Sequence, residues 1–165
     1  MAGVIARYLE EDHARIDDAL RRAELAAGQI DLAAYAEFRG VLLRHIGMEE
    51  KILLPAATAA RGDKPLAVAE QLHLDHGALA ALLVPTPTDA IVEIIRKILS
   101  RHNTLEEGPN GMYAECEKLP GLNVDAILER LEAAPQVAMA PYADSKIAMD
   151  SLRASLRRAG YSFEI

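Results

Sequence analysis

The order Asp-His … Arg-His-x-x-x-Glu-Glu occurs twice in this chain, and it limits the fold more than any other feature. Asp12-His13 precedes Arg44-His45-Ile46-Gly47-Met48-Glu49-Glu50, and Asp75-His76 precedes Arg101-His102-Asn103-Thr104-Leu105-Glu106-Glu107. Residues i and i+4 of a helix share a face, with Cβ atoms about 6 Å apart. His45 with Glu49, and His102 with Glu106, can therefore each present a nitrogen and an oxygen to one point. A single H-x-x-x-E is an ordinary helix-surface pair. Two copies inside a longer repeat are a far more specific signal.

The apolar residues around the repeat recur at helical spacing. Ile5, Leu9, Ile16 and Leu20 step by three and four once His13 is counted, which predicts an amphipathic helix from about Val4 to Ala27 with His13 on its buried stripe. Gly28 reads as a C-cap and Asp31 as the next N-cap. In the second helix Tyr35, Phe38, Leu42, His45, Glu49 and Ile52 form the stripe, and Pro55 is expected to kink or end it. Arg61-Gly62-Asp63-Lys64-Pro65 reads as a turn into a third helix running to about Leu83, with Leu66, Ala69, His73, His76, Ala80 and Leu83 inward. The segment Pro85–Asp89 starts a fourth, with Ile91, Ile95, Ile98, His102 and then Leu105/Glu106 inward, and Gly108-Pro109-Asn110-Gly111 stops it. Shorter helical stretches follow at Met112–Lys118 and Val124–Ala133.

Short loops between four amphipathic helices predict an all-α chain, an up-down-up-down antiparallel four-helix bundle with additional C-terminal helices. The levels are consistent in the first hairpin: His13 stands 14 residues before Ala27, and His45 stands 14 after Asp31. The second hairpin is less even, with His76 8 residues before Val84 and His102 13 beyond Asp89. Residues 1–134 are expected to form the main body. Residues 135–165 are expected to be a linker and a short helix from Ser145 to Ala159, with Ile147, Leu152 and Leu156 inward, docked on the body or on a second subunit as a homo-oligomer contact.

Composition narrows the function classes. The net charge of −7 argues against nucleic acid as a partner, which calls for a basic face. The single cysteine, Cys116, rules out an internal disulfide and any CxxC site, which fits a reducing compartment. No apolar run approaches the roughly 20 residues of a membrane span, and Arg7 and Glu10 interrupt any secretory signal at the N-terminus. The expectation is a cytoplasmic protein without membrane partners.

The stripes contain His13, His45, Glu49, His73, His76, His102 and Glu106, and these include all five histidines of the chain. A lone histidine on an apolar face is ordinarily a hydrogen-bonded core residue. Five of five, with two glutamates, need more. Leaving two buried carboxylates unpaired would cost several kcal/mol each, and a bound cation removes that cost. Five imidazoles and two carboxylates exceed what one tetrahedral zinc uses but match two metals with bridging carboxylates. Glu50 and Glu107, about 100° off the stripe, are expected outside the ligand set. Tyr113 and Cys116, beyond the last helix break, are expected to be core.

In these residues the chain resembles the hemerythrin-like (HHE cation-binding) domains over roughly residues 5 to 120. That resemblance implies a four-helix bundle with a non-heme centre of two iron ions. It implies that Glu49 and Glu106 bridge them, that His13 and His45 ligate one, and that His76 and His102 ligate the other. His73 is a candidate extra ligand that would saturate one iron and leave the other open. Imidazole and carboxylate also suit other divalent metals such as zinc, nickel or manganese. A histidine-rich set favours the reduced metals and suits binding of O2 or NO for storage, delivery or sensing, rather than an enzyme's committed reaction. Two alternatives stay open: peroxide, NO or iron handling at the same centre, and a structural metal or polar core in a helical interaction module.

Overall fold

The computed structural model describes residues 2–26 and 28–165. Among them it is helical, with one isolated bridge, Glu24 to Ile30. The long helices are α1 (Val4–Ala23), α2 (Leu32–Met48), α4 (Ala69–Leu82) and α5 (Asp89–Glu106). Between α2 and α3 (Leu54–Ala60) the chain makes a π-helical turn, Glu49–Leu53. Then come α6 (Met112–Glu117), α7 (Val124–Glu132) and α8 (Lys146–Arg158).

Two apolar clusters hold these helices, and the four long ones run through both. One contains Ile16 and Leu20 of α1, Phe38 and Leu42 of α2, Leu79 and Leu82 of α4, and Ile91, Ile95 and Ile98 of α5. The other contains Ile5 and Leu9, then Met48 and Leu53, then Leu72, with Met112, Tyr113 and Cys116 following α5. His13, His45, His76 and His102 fall between the two sets on their respective helices, and all four are buried. A polar layer is thus sandwiched between two greasy ones.

The caps follow local chemistry. Asp31 accepts from the amides of Ala33 and Ala34, and Thr88 from that of Ile91, satisfying orphan donors at the starts of α2 and α5. The first helix ends at Ala23, earlier than its spacing suggested; the expected end, Ala27, lies outside the described residues. Gly28 takes a left-handed backbone, φ 77°, in the turn that follows, and its amide donates to Asp89 Oδ2 at 2.7 Å, tying this turn to the start of α5.

Three expectations are sharpened or corrected. Of the two outcomes expected at Pro55, a kink or an end, the chain does not end: α2 gives way to a π turn directly before the proline, with the Leu54 amide donating to the Glu49 carbonyl, and the chain stays helical to Ala60. Proline lacks an N–H, and its ring crowds the carbonyl four residues back; a widened turn relieves both. Second, α4 starts at Ala69 rather than Pro65, and its buried face is Leu72, Asp75, His76, Ala78, Leu79 and Leu82. The expected stripe ran through Ala69, His73 and Ala80. Rotating the helix by about one residue exchanges alanines for leucines in the core, each worth more on burial, and it turns His73 outward. Third, Ile147 is 82 % exposed. It precedes Leu152 by five residues, about 140° round the helix, so the two cannot share one face.

The tail lies against its own chain. Leu152, Leu156, Ala159 and Tyr161 join the first apolar cluster, and α8 packs on α4. The Ala143 amide donates to the Val84 carbonyl at 3.0 Å, and Thr86 bonds Asp144, fixing the linker to the loop between α4 and α5. No described helix is long and apolar enough to cross a membrane.

Candidate metal centre

The two histidines of each hairpin meet end to end. His13 Nε2 lies 3.0 Å from His45 Nε2, and His76 Nε2 lies 3.1 Å from His102 Nε2. The uneven levels of the second hairpin therefore do not separate its pair: the extended segment before α5 lets that helix start beyond the end of α4. Glu49 and Glu106, both fully buried, stand between the pairs. Glu49 reaches His45 Nε2 at 3.4 Å with one oxygen and His76 Nε2 at 3.0 Å with the other. Glu106 reaches His102 Nε2 at 2.8 Å and His13 Nε2 at 3.2 Å. Two groups able to hold a cation result: His13, His45, Glu49 and Glu106, and Glu49, His76, His102 and Glu106. They share both glutamates.

The opposite nitrogen of every one of these imidazoles meets a carboxylate. His45 Nδ1 is 2.8 Å from Asp12, His102 Nδ1 3.2 Å from Asp75, His76 Nδ1 2.6 Å from Glu50, and His13 Nδ1 2.5 Å from Glu107. Each such contact fixes the ring with Nε2 inward and raises its basicity. All members of the repeat except the arginines thereby receive a place. Each aspartate holds not the histidine beside it but the one across the hairpin. The second glutamates cross over, Glu50 to the second half and Glu107 to the first. The arginines take no part: Arg44 donates to the carbonyls of Leu131 in the last turn of α7 and Ala134 just beyond it, and Arg101 lies over the Tyr161 ring.

His73 is not brought into either group. Its side chain is 72 % exposed, and Nδ1 meets Glu50 at 3.1 Å. Tyr113, expected to be plain core, is the residue that sequence reasoning missed. Its hydroxyl donates to Glu49 Oε1 at 2.6 Å and also lies 3.2 Å from Glu106, 3.1 Å from His13 Nε2 and 3.4 Å from His45 Nε2. The turn that returns it to the layer is tight: Gly108 has φ 83°, and a Cβ on Gly111 would come within 2.1 Å of the Glu107 carbonyl. The signal available in the sequence was Gly-x-x-Gly directly after the second Glu-Glu, with a tyrosine two residues beyond it. Cys116, by contrast, is core: it is fully buried beside Met112, and burial pushes its thiol up to about 12.

The electrostatics call for positive charge. Burial is the largest influence on the His45, His76 and His102 imidazoles and opposes protonation, yet the carboxylates outweigh it. The Glu49 charge and the Asp12 hydrogen bond lift His45 to about 10. Contacts with Glu106, Glu49 and Glu50 lift His76 to about 11, and the Glu106 charge with Asp75 lifts His102 to about 9. Glu106 is held well below its usual range, against burial, chiefly by His102. Even so, Glu49 Oε2 and Glu106 Oε1 are buried without a partner in hydrogen-bond geometry, although imidazole nitrogens lie near. Unpartnered carboxylate oxygens beside paired, inward Nε2 atoms are the donor set of a metal site, and the residues fit one.

Beside the four imidazoles lies a cavity of about 350 Å³, walled by Ile16, Leu20, Leu42, Ile46, Leu79 and Leu99. Asp17, Arg96 and Ser100 line it where it nears solvent, with Arg96 ion-paired to Asp17 and Glu24.

The model of the hemerythrin HHE cation binding domain matches residues 4–114, which spans all four long helices and Tyr113. No curated protein and no solved structure matches the chain. The protein belongs to the hemerythrin HHE cation-binding domain family.

Proposed function

We propose that the protein holds two iron ions side by side within an up-down-up-down antiparallel four-helix bundle and binds a small ligand such as O2 or NO there. His13 and His45 hold one ion, His76 and His102 the other, and Glu49 and Glu106 bridge both. The observation that carries this reading is that two four-residue donor groups share both of their glutamates. Imidazole with carboxylate suits several divalent metals; the family resemblance favours iron. The ions, when bound, supply the ligand-binding, redox-active centre.

The chain's own residues do the rest. Asp12, Asp75, Glu50 and Glu107 orient the four rings and keep each Nε2 free for metal. The aliphatic wall of the cavity favours a neutral, apolar ligand over an anion, because nothing on Ile16, Leu20, Leu42, Ile46, Leu79 or Leu99 can replace lost hydration. Storage, delivery or sensing is the proposed role, in a reducing cytoplasmic setting that keeps the buried Cys116 thiol and the metals reduced.

Elemental analysis of iron-loaded protein is expected to give about two irons per chain, and His102→Ala to lose at least one. Well under one iron per chain, with unchanged helicity, would sink the reading. Adding air to reduced, loaded protein is expected to produce a visible band that reverses on degassing; rapid irreversible oxidation would instead assign the site to peroxide, NO or iron handling.

A further inference from the structure

We infer that Tyr113 is itself a metal-binding residue, its phenolate oxygen joining His13, His45, Glu49 and Glu106 around the first of the two metals. This rests on the two-metal reading above and adds what makes the two halves different.

The hydroxyl approaches all four members of the first donor group, at 2.6 to 3.4 Å, and neither His76 nor His102 is among its contacts. A phenol carries one hydrogen and accepts about two bonds more. One acceptor, Glu49 Oε1, satisfies the hydrogen. The other three approaches come from donor atoms that already point at a common centre. An oxygen surrounded by one complete set of potential metal ligands stands where a further donor of that set would stand. The ring cannot swing away, since Tyr113 is fully buried in the second apolar cluster and Gly111 leaves no slack in the backbone before it.

In forming the bond, the phenol O–H breaks and its proton is released to solvent as the metal takes its place, while the oxygen lone pair makes the metal bond. No electron is transferred. The first group then offers two nitrogens, two shared carboxylates and an anionic phenolate; the second offers two nitrogens and the same carboxylates. A hard anionic oxygen favours the more highly charged metal, so the His13/His45 half is the one that stabilises iron(III), and the His76/His102 half keeps the open position. The asymmetry expected of His73 is thus supplied by a residue on the other side of the centre.

The test is visible absorption and resonance Raman of iron-loaded protein oxidised with ferricyanide, with elemental analysis of the same sample. The expected result is a broad phenolate-to-iron(III) charge-transfer band, with tyrosinate ring modes enhanced on excitation into it. Tyr113→Phe, nearly isosteric, is expected to lose both while keeping at least one iron per chain. Two irons per chain without tyrosinate modes in the wild-type protein would overturn this inference and leave the two-metal reading standing. Ring modes that persist in Tyr113→Phe would overturn it too. Well under one iron per chain in the wild type would overturn both. The wild-type spectrum decides the matter even if the variant fails to fold.

Discussion

The Tyr161 hydroxyl donates to Asp75 Oδ1 at 2.9 Å, and the other oxygen of the same carboxylate lies 3.2 Å from His102 Nδ1. A residue of the C-terminal tail therefore braces a histidine of the candidate centre through one aspartate. Gln71 adds a second donor to that oxygen at 2.8 Å. Asp12 is braced in the same manner by Arg15, at 2.8 Å, but within its own helix. Removing an outer-shell partner of this kind ordinarily costs roughly 10–100-fold in metal affinity, and Gln71 remains as a backup. Tyr161→Phe is expected to weaken binding of the more loosely held metal by about 10-fold, at the low end of that range. Competition against a chromophoric chelator measures it. No change in either affinity would detach the tail from the site.

His73 provides the matching negative case. With its side chain largely in solvent and its one contact on Glu50, it has no path to the shared glutamates. His73→Ala is expected to leave metal content and visible spectrum as in the wild type, with stability changed by no more than about 0.5 kcal/mol, as for an ordinary surface substitution. Loss of a metal equivalent in this variant would restore His73 to the ligand set.

The metal-free protein is expected to lose stability as the pH rises above neutrality. His45, His76 and His102 stand at about 10, 11 and 9 in the fold, against 6.5 as their ordinary value. A raised folded value stabilises the protonated, folded form. That contribution is complete below about pH 6.5 and is lost progressively as the pH passes through the folded values. Glu49 and Glu106 are depressed, so their contribution is present above about 4.5 and is lost on acidification. Chelated protein should thus melt highest between roughly pH 4.5 and 6.5 and progressively lower toward pH 10. Metal-loaded protein should show a much shallower decline, because bound metal replaces those protons. Thermal melts of the two forms across this range check it; parallel curves would show that protons and metal do not compete for the same nitrogens.

Much of this was legible from spacing alone. His45 and Glu49, or His102 and Glu106, share a helix face by geometry that no tertiary contact can alter, and apolar residues three and four apart decided that this face turns inward. The caps at Asp31 and Thr88 are equally local, each closed within three residues. The start of α4 was less so. Two stripes one residue apart compete on that helix, and the choice depends on how much leucine surface the rest of the chain can cover, which placed Leu72, Leu79 and Leu82 inside and His73 outside.

What the sequence by itself determined, then, is the set of helices and the inward direction of two histidine–glutamate pairs, because both follow from the pitch of a helix and the hydrophobicity of its neighbours. Only the tertiary structure decided which carboxylate holds which ring. Asp12 braces His45 across 33 residues, and Glu107 meets His13 across 94. Only it put the Tyr113 hydroxyl among His13, His45, Glu49 and Glu106. Such contacts join residues from different helices, whose relative rotation and height are set by the packing of both apolar clusters together. No window of sequence contains that information.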